Sequence, residues 1–193
     1  MKAHPQSLSA GGPVVVLVAA LFAMPIAVAS GLYLSGWRPA PSAAHGTLVS
    51  PPLPLAGTVL GANGGKTVRL GDFHGKWLLL HLGPADCPAD CERQLFAMQQ
   101  VQAAQGRERE RVRRVFVAQG RMPVWKKDSL SRNFPGVAMV TGYGKDWPER
   151  WSGEWKTFLI DPMGNLVMAY GANADPSGMR KDLARLLAYS WVG

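Results

Sequence analysis

The 193 residues hold two cysteines, and both stand in the segment Cys87-Pro88-Ala89-Asp90-Cys91. A helix starting near Asp90 places Cys91 in its first turn and Cys87 in the loop above, with the two sulfurs drawn toward one face. That arrangement suits a disulfide or a soft metal ion. Thiols at a helix N-terminus feel unsatisfied N–H groups and the positive end of the helix dipole, which favours the thiolate and so exchange chemistry. The same spacing also accommodates two inert buried thiols, because free cysteine packs as a small apolar residue.

Positioning such a pair requires a strand before it and a helix after it. The run Trp77-Leu78-Leu79-Leu80-His81-Leu82 is continuously apolar apart from its histidine, as expected of a central strand covered on both faces, and Gly83-Pro84 ends it. From Glu92 to Gln105, Leu95, Met98 and Gln102 form a stripe beside Phe96 and Val101, predicting an amphipathic helix stopped by Gly106. Earlier, Thr58–Leu60 and Thr67–Leu70 flank a glycine-rich turn and read as a β-hairpin. Later, Arg111–Ala118 and Val137–Thr141 read as strands, with a loop over 119–123. The stretch from Gly142 to Gly153 fits a helical turn or a surface loop. Trp155–Ile160, the turn Asp161-Pro162-Met163-Gly164-Asn165 and Leu166–Tyr170 predict a second hairpin. Asp175-Pro176 opens a final helix to about Tyr189, with Met179, Leu183, Leu186 and Leu187 on one side.

Residues 1–12 read as a short tail and 13–34 as an uncharged apolar span of about 33 Å as a helix, enough to cross a bilayer. A signal peptide cleaved after Ala27-Val28-Ala29 competes, but the apolar run continues through Leu34, which favours an uncleaved anchor. Tyr33 and Trp37 suit the far interface. Residues 35–56, rich in proline, alanine and serine, are expected to form an extended stalk, and 57–193 the folded domain. A close cysteine pair beyond an export signal is most useful where disulfides persist, so the domain is expected outside the cytoplasm, in the periplasm of a Gram-negative cell. The formal net charge is +8. The basic residues are dispersed, and the one dense cluster, Arg107 to Arg114, is interrupted by Glu108 and Glu110. It reads as a solvated helix end, which argues against nucleic-acid binding.

Hairpin, strand, cysteine motif at a helix start, strand, hairpin and C-terminal helix is the order of an α/β thioredoxin-like domain, a central mixed β-sheet flanked by helices. Gly75 to Gly83 followed by the CxxxC motif, together with Phe158-Leu159-Ile160-Asp161-Pro162-Met163-Gly164-Asn165, resembles the Sco/SenC family of cytochrome c oxidase assembly proteins. The chain is similar in particular to Sco-like membrane proteins encoded with oxidase genes in proteobacteria. That resemblance implies a membrane-anchored domain with an oxidase subunit or another assembly factor as partner. It also implies copper held by the Cys87 and Cys91 sulfurs and a histidine, or reduction of cysteines at the oxidase copper site. The family histidine should precede Leu159-Ile160-Asp161-Pro162, where this chain reads Ser152-Gly153-Glu154-Trp155-Lys156-Thr157, and no histidine follows His81. The nearby imidazoles are His74, in a loop, and His81, read as a core histidine. Met122 and Met163 are the loop candidates for a soft ligand. Thiol–disulfide exchange therefore stands ahead of copper transfer, with Cys87 as the exposed attacking sulfur and Cys91 as the resolving one. A structural staple is the third alternative.

Overall fold

In the computed structural model, which describes residues 12–37, 44–142, 147–148 and 156–191, the apolar run becomes β4 (Trp77–Pro84), buried along nearly its whole length. Two apolar layers account for this. Trp77 and Leu79 pack into one cluster, and Leu78, Leu80 and Leu82 into a second on the opposite face, as the period-two alternation of strand side chains requires. Parity alone thus assigns His81 and Gly83 to the face of Trp77 and Leu79.

Among the described residues eight strands form one mixed sheet. To β4 are added β1 (Thr47–Pro54), β2 (Val59–Asn63), β3 (Lys66–Arg69), β5 (Val112–Gln119), β6 (Val137–Thr141), β7 (Lys156–Ile160) and β8 (Asn165–Tyr170), in the order β1-β8-β7-β4-β5-β6-β2-β3. β4, β5 and β6 run parallel, and β7 lies antiparallel on the other side of β4. The expected first hairpin is β2–β3. Gly64 and Gly65, with φ of 58° and 82°, occupy the two central turn positions, both of which require positive φ in the commonest tight hairpin turn.

Three helices supply the first layer: α2 (Ala89–Ala103), α3 (Val124–Asn133) and α4 (Pro176–Tyr189). Leu95, Met98 and Val101 of α2 and Met179, Leu183 and Leu187 of α4 are buried there. Phe96, placed beside the α2 stripe by sequence, is 56% exposed instead. Asp175 caps α4, its carboxylate accepting from the Ser177 hydroxyl and from the backbone N–H groups of Ser177 and Gly178, and these bonds, the hydroxyl's first, hold its pKa below the ordinary value. The second layer is filled by Leu60, Leu70, Trp147 and two residues from the expected stalk, Val49 and Leu55.

The stalk is therefore corrected: residues 44–56 belong to the folded unit, and Thr47–Pro54 pairs with β8 at the sheet edge. An edge strand tolerates Pro51, Pro52 and Pro54, which cannot donate to a ladder, and the register slips between Leu48 and Leu53, where two of them lie. The strand is fastened at its start by the buried Asp182 carboxylate. That group accepts from the backbone N–H groups of His45 (2.9 Å) and Gly46 (3.1 Å) and from the Tyr170 hydroxyl (3.1 Å), and it faces His45 Nδ1. Burial, and secondarily the Asp182 charge, pushes the Tyr170 phenol well above its usual range.

Two arginines of the basic cluster depart from expectation. Arg114 is 5% exposed, its guanidinium donating to Gln102 Oε1 (2.6 Å) and the Pro135 carbonyl (2.6 Å), and burial lowers its pKa. Arg111 donates to the carbonyls of Leu187 and Ser190, tying β5 to the end of α4. These two arginines brace the fold, while Arg107, Glu108, Arg109, Glu110 and Arg113 are exposed, as a solvated end requires.

A separate unit, α1 (Gly12–Leu34), is exposed along its described length and is long and apolar enough to cross a membrane. Most of the stretch from 142 to 153 lies outside the described residues. Within it, Trp147 is buried edge-on against Phe158 with ring centroids 5.1 Å apart.

Candidate functional site

The parallel β4–β5 pair carries β4 to its C-terminal end at Pro84, and the chain then turns sharply into α2. The turn is closed by the Cys87 N–H donating to the Pro84 carbonyl (3.0 Å), and Cys87 adopts φ of 37°, the only non-glycine residue with positive φ among those described. A side-chain-bearing residue in that left-handed region costs about 1–2 kcal/mol, and such outliers concentrate at functional sites. Pro88 caps α2 without a side-chain bond, so nothing there competes for the first N–H groups. Cys91 follows in the first turn.

Cys87 and Cys91 are joined in a disulfide with Cα atoms 5.1 Å apart. Both residues are 0% exposed, although Pro88, Ala89 and Asp90 between them are on the surface. The expectation of an exposed Cys87 sulfur is thus corrected. In the left-handed conformation the side chain turns inward to the layer of Leu95, Phe116 and Met122, and the surface of the turn is left to Pro88, Ala89 and Asp90.

Two ion pairs brace the start of α2. Asp90 pairs with Arg93 at the surface. Glu92 accepts from Lys126 Nζ of α3 at 2.7 Å, with Lys126 only 8% exposed. Sequence reasoning missed this second pair, because α3 itself gave no helical pattern. The only signal was two residues of opposite charge far apart in the chain.

The four further candidates separate. Met122 is buried in the cluster that holds both cysteines. His74 and Met163 line the turn between β7 and β8. Since Leu78 pairs with Ile160, that turn lies at the opposite end of β4 from Pro84, about 20 Å along the strand at roughly 3.3 Å per residue. Neither can reach the disulfide. The Asp161 motif is itself a structural turn: its carboxylate accepts from the N–H groups of Met163 (2.9 Å) and Asn165 (2.8 Å), while the Gly164 carbonyl receives the Leu55 N–H at 2.9 Å.

His81 is 0% exposed, and its Nδ1 shares a 3.1 Å hydrogen bond with Thr157 Oγ1, its direct cross-strand partner on β7. Burial lowers its pKa from 6.5 to about 4, with a smaller opposing pull from the Lys156 backbone, so the ring is neutral. Its Nε2 is buried with no hydrogen-bond partner. The core-histidine expectation is met on one nitrogen only. A methyl group placed on Gly83 would be crowded, 3.1 Å from Phe116 Cε2, 3.2 Å from that Nε2 and 3.3 Å from Cys91 Sγ, so glycine lets both atoms pack against the β4 backbone.

The copper donor set does not fit. Among the described residues no group of three or more His, Cys, Asp or Glu side chains is arranged to hold a metal ion. Of the segment 152–157, where the family histidine was sought, 152–155 lie outside the described residues, and none of the six is a histidine.

A mixed sheet with a helix launched from the end of a central strand, and a disulfide at that junction, defines a thioredoxin-like domain. Residues 77–190 match the family described as "Transmembrane-like, thioredoxin-like, C-terminal domain", and the chain belongs to that family. Among solved structures it is similar to apo Sco1 from Thermus thermophilus, with 24% identity and a TM-score of 0.56 over 79% of this chain and 100% of that one. It is similar to yeast Sco1 solved with copper bound, with 17% identity and a TM-score of 0.56 over 78% and 96% of the two chains. A thiol:disulfide interchange protein from Bacteroides matches with 19% identity and a TM-score of 0.54 over 72% and 91%. These likenesses show the shared fold. No curated protein sequence matches the chain.

Proposed function

We propose that this chain is a single-span, membrane-tethered thiol–disulfide exchange protein of Sco type, with its domain in the periplasm, serving cytochrome c oxidase assembly. The observation that carries the reading is the Cys87–Cys91 disulfide at the N-terminus of α2, with Cys87 held in a left-handed turn. In the reductive direction a partner thiolate attacks Cys87 Sγ, breaking the internal bond and forming a mixed disulfide. The electron pair leaves on Cys91 Sγ, whose residue stands in the first turn of α2, where the helix N-terminus favours a thiolate. A second partner thiol then releases Cys87, so the partner ends as a disulfide and this chain as a dithiol, with two electrons and two protons transferred. The partner is an oxidase subunit or another assembly factor.

Copper transfer is the reading raised by the yeast relative. It requires both sulfurs to be free and a third donor to be recruited, so it could operate only on the reduced chain. Cu(I) titration of the reduced full-length protein against a competing chelator separates the two, since a Cys87- and Cys91-dependent one-ion complex is expected only if copper is carried. The exchange reading is tested by a Cys91→Ser chain in cells, which should accumulate a mixed disulfide through Cys87 that Cys87→Ser lacks. A reduction potential near or below about −300 mV would place the bond among structural staples and reject exchange.

A further inference from the structure

The unpartnered nitrogen of His81 identifies a second participant at the disulfide. A buried polar atom without a hydrogen bond is costly, and in native folds it is rare enough to need a reason. The reason here is geometric. His81 and Gly83 share one face of β4, Thr157 holds the imidazole by Nδ1, and the ring lies parallel to Phe116 with centroids 6.0 Å apart. Nε2 is left packed against Gly83, as is Cys91 Sγ, and a Cβ at that position would crowd both, at 3.2 and 3.3 Å. In the disulfide state Cys91 Sγ is bonded to Cys87 Sγ and does not satisfy the ring.

We infer that His81 is the positioning residue for Cys91 in the reduced state: when the disulfide opens, Cys91 Sγ shifts past the bare Cα of Gly83 and hydrogen-bonds His81 Nε2. Two sulfurs that no longer share a bond must stand at van der Waals separation, about 3.5–4 Å for heavy atoms, against about 2 Å when bonded. At least one sulfur must therefore shift. Cys91 Sγ is the sulfur that packs against a residue without a Cβ, beside a nitrogen that still lacks a partner. The new bond exists only in the dithiol, so it stabilises the dithiol over the disulfide and makes the protein a stronger oxidant than the same fold without His81. The inference rests on the exchange reading for its biological use, but the bond itself does not depend on that reading.

The test uses the full chain in detergent. Equilibration of the wild type and His81→Phe with a series of dithiol buffers, read by thiol alkylation, should show the dithiol about tenfold less favoured in the variant, a potential about 30 mV more negative. His81→Gln, which keeps a terminal amide able to reach the sulfur, should recover part of that shift. A folded His81→Phe chain within twofold of the wild type overturns the inference. Should His81→Phe fail to fold, nitrogen-15 NMR of the unaltered imidazole decides. The Nε2 resonance should move on reduction with a phosphine while Nδ1 changes little, and an Nε2 signal indifferent to reduction overturns the inference. Phosphine opens the bond whatever its potential. A disulfide that resists every dithiol buffer would therefore reject exchange while leaving the hydrogen bond still tested.

Discussion

Reduction of the Cys87–Cys91 disulfide removes a covalent link across a sequence separation of 4, and in the chain-entropy picture a loop this short contributes about 2 kcal/mol, against about 4.7 for a hundred-residue loop. Against that gain stands the backbone of Cys87 at φ of 37°, a conformation that costs about 1–2 kcal/mol for a residue with a Cβ. If the turn relaxes when the bond opens, the two nearly cancel, and oxidised and reduced chains should differ in stability by less than about 2 kcal/mol. By linkage, the folded potential then lies within about 40 mV of the unfolded reference. Urea denaturation of the full chain, oxidised and then fully reduced, measures the difference from the two midpoints at a shared slope. A companion pair isolates the strain: Cys87→Gly with Cys91→Ala should be more stable than Cys87→Ala with Cys91→Ala by about 1 kcal/mol, because glycine adopts positive φ freely. A reduced chain less stable by more than about 4 kcal/mol would refute the reasoning, since the bond would then hold the fold together.

His81 gives a pH signature. Its folded pKa is about 4 against 6.5 when unfolded, so its contribution is fully present above pH 6.5 and lost as the pH falls toward 4. Roughly 3 kcal/mol is at stake at 1.36 kcal/mol per unit, and denaturation of His81→Phe across that range should lack this slope. Asp182→Asn should loosen β1, costing on the order of 2 kcal/mol, and hydrogen exchange of residues 47–54 should accelerate more than that of β4. Glu92→Ala should destabilise more than Lys126→Ala, by about 1 kcal/mol in thermal or urea denaturation, because it strands the more buried partner of the pair.

The site's frame was legible because it rests on local pattern. A strand buried on both faces must be apolar throughout, as 77–82 is, and the residues after Pro88 carry a helical stripe from the first turn onward. What escaped depended on register or on edge position. The prolines of β1 read as a spacer because only a sheet edge forgives their missing N–H groups, and the edge exists only once β8 is placed beside it. α3 buries little more than Leu130 and the Lys126 stem, too few positions to leave a periodic mark. The Leu-Ile-Asp-Pro motif marked the fold correctly, yet its work is to hold a turn far from the sulfurs. The pairing of His81 with Thr157 spans 76 residues and follows only from the β4–β7 register, so no reading of His81 in isolation could separate its two nitrogens.

Both sulfurs lie beneath the surface while the three residues between them are outside, and this has a kinetic meaning. Thiolate attack needs a line of approach along the sulfur–sulfur axis, and a small diffusing thiol has no binding energy with which to open the turn. A docking protein does. In the proposed exchange reaction burial therefore acts as a kinetic filter: small thiols equilibrate with the bond slowly, whereas a partner whose contacts displace the turn would react faster.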